Sequence, residues 1–420
     1  MPGRYLATGV VAFLIFALGV PCLAPELVRT NDDPRIFALT HVAVLGWISM
    51  TVFGAVYQLF PVALGGAVRA PRLASWNYWV LVAGLVGFIP SFFFSFTLGV
   101  ALFGSLTVGG ILHFASQMLR SFPSVTEWHP MGLYLVASLV WLVATVGFGF
   151  AYALDWWFGW FDITPNLLAA HVELGLAGWL GLTVMGVSYK LTELFALAHG
   201  HPRHLAIANL GLWCVALGGL ASSLIFVPGT FAVTAFAALL AVSALIHVID
   251  LSWMLHHRRR RPFTLETWHT VASLAALVTA AAIGLDLTTR AEPNPGLLVA
   301  YGYCAIAGWL GFAVLGKSYK ILSFLFWLQR YGSLAGKEAV PLMRDLVDDR
   351  VGYASLVLLA LGFLGVLGGL VAQAQLAVEI SGSVYLGGAL LYAAQTVKLL
   401  RPLVLPPKRT PHPATSEVLA

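Results

Sequence analysis

Charge is what this 420-residue chain has least of: Asp, Glu, Lys and Arg together make up 10% of it. A soluble domain carries roughly a quarter of its residues as charges. With 59% hydrophobic residues and a mean hydropathy of +0.86, this chain belongs in a bilayer instead. Cysteine is nearly absent. Cys22, Cys214 and Cys304 lie far apart, each in an apolar run, which excludes a disulfide framework or a cysteine metal cluster and makes them small core residues. There is no glycine-rich phosphate loop with its lysine and no nucleophile elbow, so ATP-driven transport and serine-hydrolase chemistry have no residues to carry them. The net charge of +5 comes without a basic stripe interleaved with aromatics, which excludes a nucleic-acid surface.

What the chain has in abundance is long hydrophobic runs. Twelve stretches of about 20 apolar residues each suffice to cross about 30 Å of hydrocarbon as a helix. They lie near 4–24, 36–60, 76–97, 98–119, 132–154, 167–190, 204–227, 230–256, 267–285, 297–319, 352–374 and 379–400. If they alternate in direction, every Lys and Arg except Arg29, Arg35 and Arg290 falls on one side. The positive-inside rule makes that side cytoplasmic. The expectation is an all-α integral membrane domain over 1–420, multi-pass in the inner (plasma) membrane, with both termini and the tail 404–420 cytoplasmic. The first span stays rather than being cleaved as a leader, since the charge alternation requires it.

Three further segments stand out. The run His256-His257-Arg258-Arg259-Arg260-Arg261 is a topology anchor or a site for anionic lipid headgroups. Residues 155–162, DWWFGWFD, read as an aromatic belt at the membrane interface or as a docking surface for a periplasmic partner. Residues 321–350 read as an interfacial helix followed by a charged turn.

The strongest pattern is a phrase used three times. Gly46-Trp47 opens GWISMTVFGAVYQL, Gly178-Trp179 opens GWLGLTVMGVSYKL, and Gly308-Trp309 opens GWLGFAVLGKSYKI. Trp47, Trp179 and Trp309 are 132 and 130 residues apart, so the chain divides into pseudo-repeats 1–125, 126–262 and 263–403, each of four spans. Fainter echoes place His113, His247 and Tyr392 on the fourth span of each unit. TEWH ending at His129 and ETWH ending at His269 head units two and three, which makes both histidines interface residues. Gly175, Gly178 and Gly181 suit the close helix approach that packing in lipid relies on.

Ionisable groups inside spans are costly unless paired, ligated or hydrated, so each is a candidate: His41, His113, His171, Glu173, His247 and Asp250. Counting back from each phrase's glycine, the fifth position holds His41, Glu173 and Tyr303, and the seventh holds Leu39, His171 and Tyr301. Residues two apart on a helix point about 200° apart, so one set faces its own unit and the other a neighbour. His41 and His171 lie at one depth near the ends opposite the basic side. A neutral imidazole there is an axial ligand for haem iron or a copper ligand, or else a packing group bonded to a carbonyl. Glu173 is a metal ligand or a proton carrier. His247 and Asp250, three residues apart on one helical face, form a proton relay or satisfy each other, and His113 is a further relay candidate.

Twelve helices in three four-helix units, with these candidate ligands, resemble the catalytic subunit I of the haem-copper oxidase superfamily, which includes cytochrome c oxidases and nitric oxide reductases. The stretch THVAVLGWISMTVFGAVYQLFPV is similar to the second helix of that family, where a histidine at the position of His41 binds low-spin haem. AAHVELG is similar to the sixth, where a histidine matching His171 binds the non-haem metal and, in the nitric oxide reductase branch, a glutamate lies nearby as Glu173 does. The resemblance implies haem b, with copper or iron, oxygen or nitric oxide as gaseous substrate, and an electron donor on the periplasmic side. It implies His41 and His171 as cofactor ligands and His171 and Glu173 as metal ligands; Glu173, and Tyr301 and Tyr303 at the same level of the tenth helix, are the candidates for catalysis. The chain departs from the family at the tenth helix, where Tyr301-Gly302-Tyr303 replaces two histidines. It departs again at the seventh, where His201 and His204 sit in a loop on the wrong side. Tyrosine is itself a known haem ligand. The other readings are a non-enzymatic member of this fold that senses or hands over haem, copper or nitric oxide, and a polytopic transporter. Transporter repeats come in pairs, which counts against the last.

Overall fold

The structure, a computed structural model, describes residues 2–126, 128–260, 262–290 and 294–404. Arg261, Glu127 and nearly all of the expected tail lie outside the described residues. Among the described residues, twelve helices are long and apolar enough to cross a membrane. They are α1 (Pro2–Cys22), α2 (Pro34–Leu64), α3 (Pro71–Phe93), α4 (Thr97–Ser124), α5 (Pro130–Phe158) and α6 (Pro165–Ala196), then α7 (Arg203–Phe226), α8 (Phe231–His256), α9 (Leu265–Leu287), α10 (Pro295–Tyr331), α11 (Asp349–Val371) and α12 (Gln375–Arg401). The described residues contain no strand. This is an all-α, multi-pass membrane fold.

Short loops force consecutive helices to pack side by side, and they close into a ring in which α12 returns to α1. The second helix of each unit sits inside that ring. In α2, α6 and α10, 72, 61 and 72% of the apolar stretch is buried, against at most half in any other helix.

Each inner helix opens into a wide π turn at the repeated phrase: Val42–Ser49, Leu174–Gly181 and Cys304–Leu310. A π turn upsets the regular carbonyl pairing of the helix, and in a membrane no water repairs it. A hydroxyl meets the tryptophan carbonyl in every copy. Thr51 Oγ1 donates to Trp47 O at 2.7 Å, Thr183 Oγ1 to Trp179 O at 2.8 Å, and Ser273 Oγ to Trp309 O at 2.7 Å.

The three tryptophans also lock the units together. The Trp179 indole N–H donates to Ser49 Oγ at 3.0 Å. A Cβ added to Gly181 would lie 2.6 Å from the Trp309 ring, and one on Gly311 would lie 2.8 Å from the Trp47 ring. Ser49, Gly181 and Gly311 each stand two residues past a phrase tryptophan. Unit two therefore leans on unit one, three on two, and one on three, a closed cycle with no free end.

Glycines also fix how each inner helix meets the first helix of its unit. Gly46, Gly178 and Gly308 abut Ala12, Trp141 and Ala276, while Gly54, Gly186 and Gly316 abut Tyr5, Tyr134 and His269. Tyr5, Tyr134 and His269 are thus the equivalent residues. This corrects the pairing of His129 with His269: the two WH motifs are five residues out of structural register. Neither histidine faces the interface. His269 is fully buried with Nδ1 bonded to Leu265 O, and His129 is buried as the cap of α5, accepting from Met131 N and reaching Glu193.

Two other expectations change. Residues 321–331 continue α10 rather than forming a separate interfacial helix, because no Gly or Pro interrupts the chain between Gly316 and Gly332. All three cysteines are free, but Cys22 is exposed at the end of α1 rather than in the core. In the aromatic segment, α5 extends through Phe158, and Trp157, Phe158, Trp160 and Phe161 are exposed.

Candidate functional site

His41, Glu173 and Tyr303 are each the last α-helical residue before the π turn of their inner helix. That places one chemically distinct side chain at the same structural joint in three copies. These fifth-position residues look forward around the ring, and the seventh-position residues look back. Leu39 meets Gly19 of α1, His171 meets Gly149 and Tyr152 of α5, and Tyr301 meets Gly284 of α9. Between successive inner helices lie three clefts. Each receives a fifth-position residue from one inner helix and a seventh-position residue from the next.

The first cleft, between α2 and α6, receives His41 and His171, which lie within electrostatic reach of each other. His41 is packed flat on Phe92 of α3 at 5.1 Å between ring centroids and edge-on to Phe88 at 5.4 Å, with Trp156 of α5 behind Phe92 at 4.9 Å. Its Nδ1 lies 2.7 Å from Phe37 O, so in the neutral ring Nδ1–H donates and Nε2 keeps a free lone pair. His171 Nδ1 is buried with no hydrogen-bond partner. His41 has the disposition of an imidazole ligand, one nitrogen held by the protein and the other free.

The second cleft, between α6 and α10, receives Glu173 and Tyr301. The Tyr301 hydroxyl donates to Glu173 Oε1 at 2.6 Å, while Oε2 is buried without a partner. His171 and Glu173 therefore open into different clefts, and the structure does not bring them together on one ion. The third cleft is apolar. Tyr303 stacks on Phe363 at 5.6 Å and faces Tyr385, neither tyrosine hydroxyl having a partner, and Leu39 fills the remaining position.

Toward its basic side the second cleft holds a set of charges that sequence reasoning found only in part. Asp250 does not satisfy His247. It accepts from Tyr189 OH at 2.7 Å and pairs with His201 Nε2 at 3.1 Å, while His247 Nδ1 has no partner. His201, from the α6–α7 loop, folds back into the bundle. Lys317 Nζ pairs with Glu266 Oε1 at 2.8 Å, and both residues are buried. Their separation of 51 residues hid the pair, but a signal existed: Lys317 occupies the repeat position that holds Ala55 and Val187 in the other units. His113 is half-buried on α4, with no bonded or ring partner among the described residues. No three His, Cys, Asp or Glu side chains among the described residues gather as metal ligands.

No family model matches the chain. A stretch of 160 residues, 34% of the chain, is 27% identical to the cytochrome c oxidase subunit 1 homolog, bacteroid, of Bradyrhizobium diazoefficiens, and covers 28% of that protein. The similarity is distant and partial, reaching little more than a quarter of that relative's length. The twelve-helix all-α ring agrees with an oxidase subunit I-like integral membrane fold.

Proposed function

We propose that this chain is a haem-copper oxidase-like membrane protein that holds one redox metal centre, haem iron or copper, in the first cleft, with His41 and His171 as its ligands. The observation that carries this reading is a nitrogen without a protein hydrogen bond on each of two half-buried imidazoles that lie within electrostatic reach of each other. The donor set fits: imidazole suits iron and copper alike. Phe37 O orients the His41 ring, and Phe88, Phe92 and Trp156 keep water from it. Such a centre, when bound, supplies one-electron transfer and a place for a small gas such as oxygen or nitric oxide. Glu173 and Tyr301 engage each other in the second cleft and are not its ligands. The basic side is the cytoplasmic one in this reading.

Absorption spectroscopy with metal analysis of the detergent-purified protein tests the proposal. A Soret band with iron, or stoichiometric copper, is expected, and His41→Ala and His171→Ala should each lower metal content at least about tenfold, since even outer-shell changes around metals cost roughly that much. A folded, colourless, metal-free preparation overturns it. A second reading, that the centre senses or hands over its cargo without turnover, is favoured by the lack of histidine at Tyr301-Gly302-Tyr303, which leaves α10 without the imidazoles a second centre would use. Consumption of oxygen or nitric oxide by the reduced protein separates the two.

A further inference from the structure

We propose that the basic end of α8 and α9 is a binding site for an anionic phospholipid, with Arg259 and Arg260 on its phosphate and its acyl chains along the two helices. α8 is the least buried span, at 28%, and presents Ile249 outward. Trp253 of α8 and Trp268 of α9 are both exposed and bracket the turn that joins the helices. Tryptophan favours headgroup depth, with hydrocarbon below it and phosphate above. Here Arg258, Arg259 and Arg260 follow Trp253 in the turn.

The turn is held in place rather than trailing in solvent. Arg259 N–H donates to Leu197 O and Arg260 N–H to Ala196 O, both at 3.3 Å, which straps it to the end of α6. His257 stacks on Trp253 at 4.1 Å. Arg258 is occupied, lying 4.2 Å over the Phe263 ring and donating to Leu255 O. Arg259 and Arg260 form no ion pair among the described residues. Arg260 instead lies within electrostatic reach of Lys320, a like charge. Two carboxylates are near Lys320, but Glu266 is committed to Lys317 and Asp349 heads α11 in solvent. An anion between Arg260 and Lys320 removes that repulsion.

Orientation in the membrane does not account for the cluster. The corresponding junction of α4 and α5, at the preceding unit boundary, carries one basic residue, Arg120, where this junction carries four. Clusters of arginine beside a span attract anionic headgroups, and basic recesses between helices hold individual lipids. The fixed backbone, the flanking tryptophans and the uncovered apolar helix below match a molecule with one phosphate and two acyl chains.

The test titrates delipidated protein, in a neutral detergent, with phosphatidylglycerol, with phosphatidylcholine of the same chains, and with inorganic phosphate. Native mass spectrometry and the thermal midpoint are the readouts. Phosphatidylglycerol should bind about tenfold more tightly than phosphatidylcholine, a gap that a few well-placed cations can supply. Arg259→Gln/Arg260→Gln should lose that preference while keeping the lipid-free midpoint. Lys337→Gln/Arg344→Gln, in the exposed α10–α11 loop, should retain it. Equal binding of the two lipids overturns the proposal. So does a preference that survives the Arg259/Arg260 change, one that the loop control also abolishes, or full competition by inorganic phosphate at equal concentration.

Discussion

The first and second clefts are framed by equivalent residues of the same repeat, yet the facing side chains of the first do not bond each other, whereas those of the second are joined by a hydrogen bond. In the first, His41 and His171 each keep a nitrogen that no protein group takes. In the second, Tyr301 occupies Glu173 and, deeper, Lys317 occupies Glu266. The scaffold residues, Trp47, Trp179 and Trp309 with their glycines, tolerate no such variation because they hold the units together. Chemistry is free to differ at the fifth and seventh positions, where the π turns begin and the packing cycle is not involved. A buried group with no partner is costly in lipid; the first cleft differs in that its uncommitted atoms are imidazole nitrogens, whereas those of the second are Glu173 Oε2 and His247 Nδ1.

The sharpest way to break this comparison is at Lys317. Lys317→Val should destabilise the protein by about 3–5 kcal/mol, because it leaves the Glu266 carboxylate buried and unpaired. Glu266→Met/Lys317→Val, which copies Met131 and Val187 of unit two, should recover most of that loss in chemical or thermal denaturation. If the double variant is no better than the single, the pair is not an exchangeable feature of the second cleft. Next in size are the cycle positions. Gly181→Val and Gly311→Val should each cost about 1–3 kcal/mol by overpacking against the next unit's tryptophan, and by similar amounts. Unequal costs would mean that the cycle is not symmetric in energy. The smallest contrast is between two tyrosines. Tyr301→Phe should cost about 1 kcal/mol for the lost bond to Glu173. Tyr303→Phe, whose hydroxyl is buried without a partner, should be neutral to stabilising by the same measurement.

Much of the architecture was legible in advance. Twelve runs of apolar residues name twelve helices because hydrocarbon thickness sets their length. The threefold phrase located the inner helices, and counting back from its glycines correctly separated forward-facing from backward-facing residues. The WH motifs misled, because two helix starts of similar composition were aligned by letters, whereas the glycine contacts align Tyr134 with His269. Helical spacing puts Asp250 and His247 on one face, as a proton relay or a self-satisfied pair, yet Asp250 bonds Tyr189 and His201. Helix geometry says which residues share a face, not which neighbour reaches that face first, and His201 comes from a loop whose path no local pattern reveals.

The sequence by itself determined the number of helices and the threefold phrase that marks three of them, since hydrophobic length and internal repetition are local properties of the chain. Only the tertiary structure decided which polar residue met which. Ring closure brings His41 beside His171 across 130 positions and Tyr301 onto Glu173 across 128. It also turns His171 and Glu173, two residues apart, into opposite clefts. Partnership in a helical bundle depends on the rotation of each helix against its neighbours, and that rotation is set here by glycine contacts and the tryptophan cycle together.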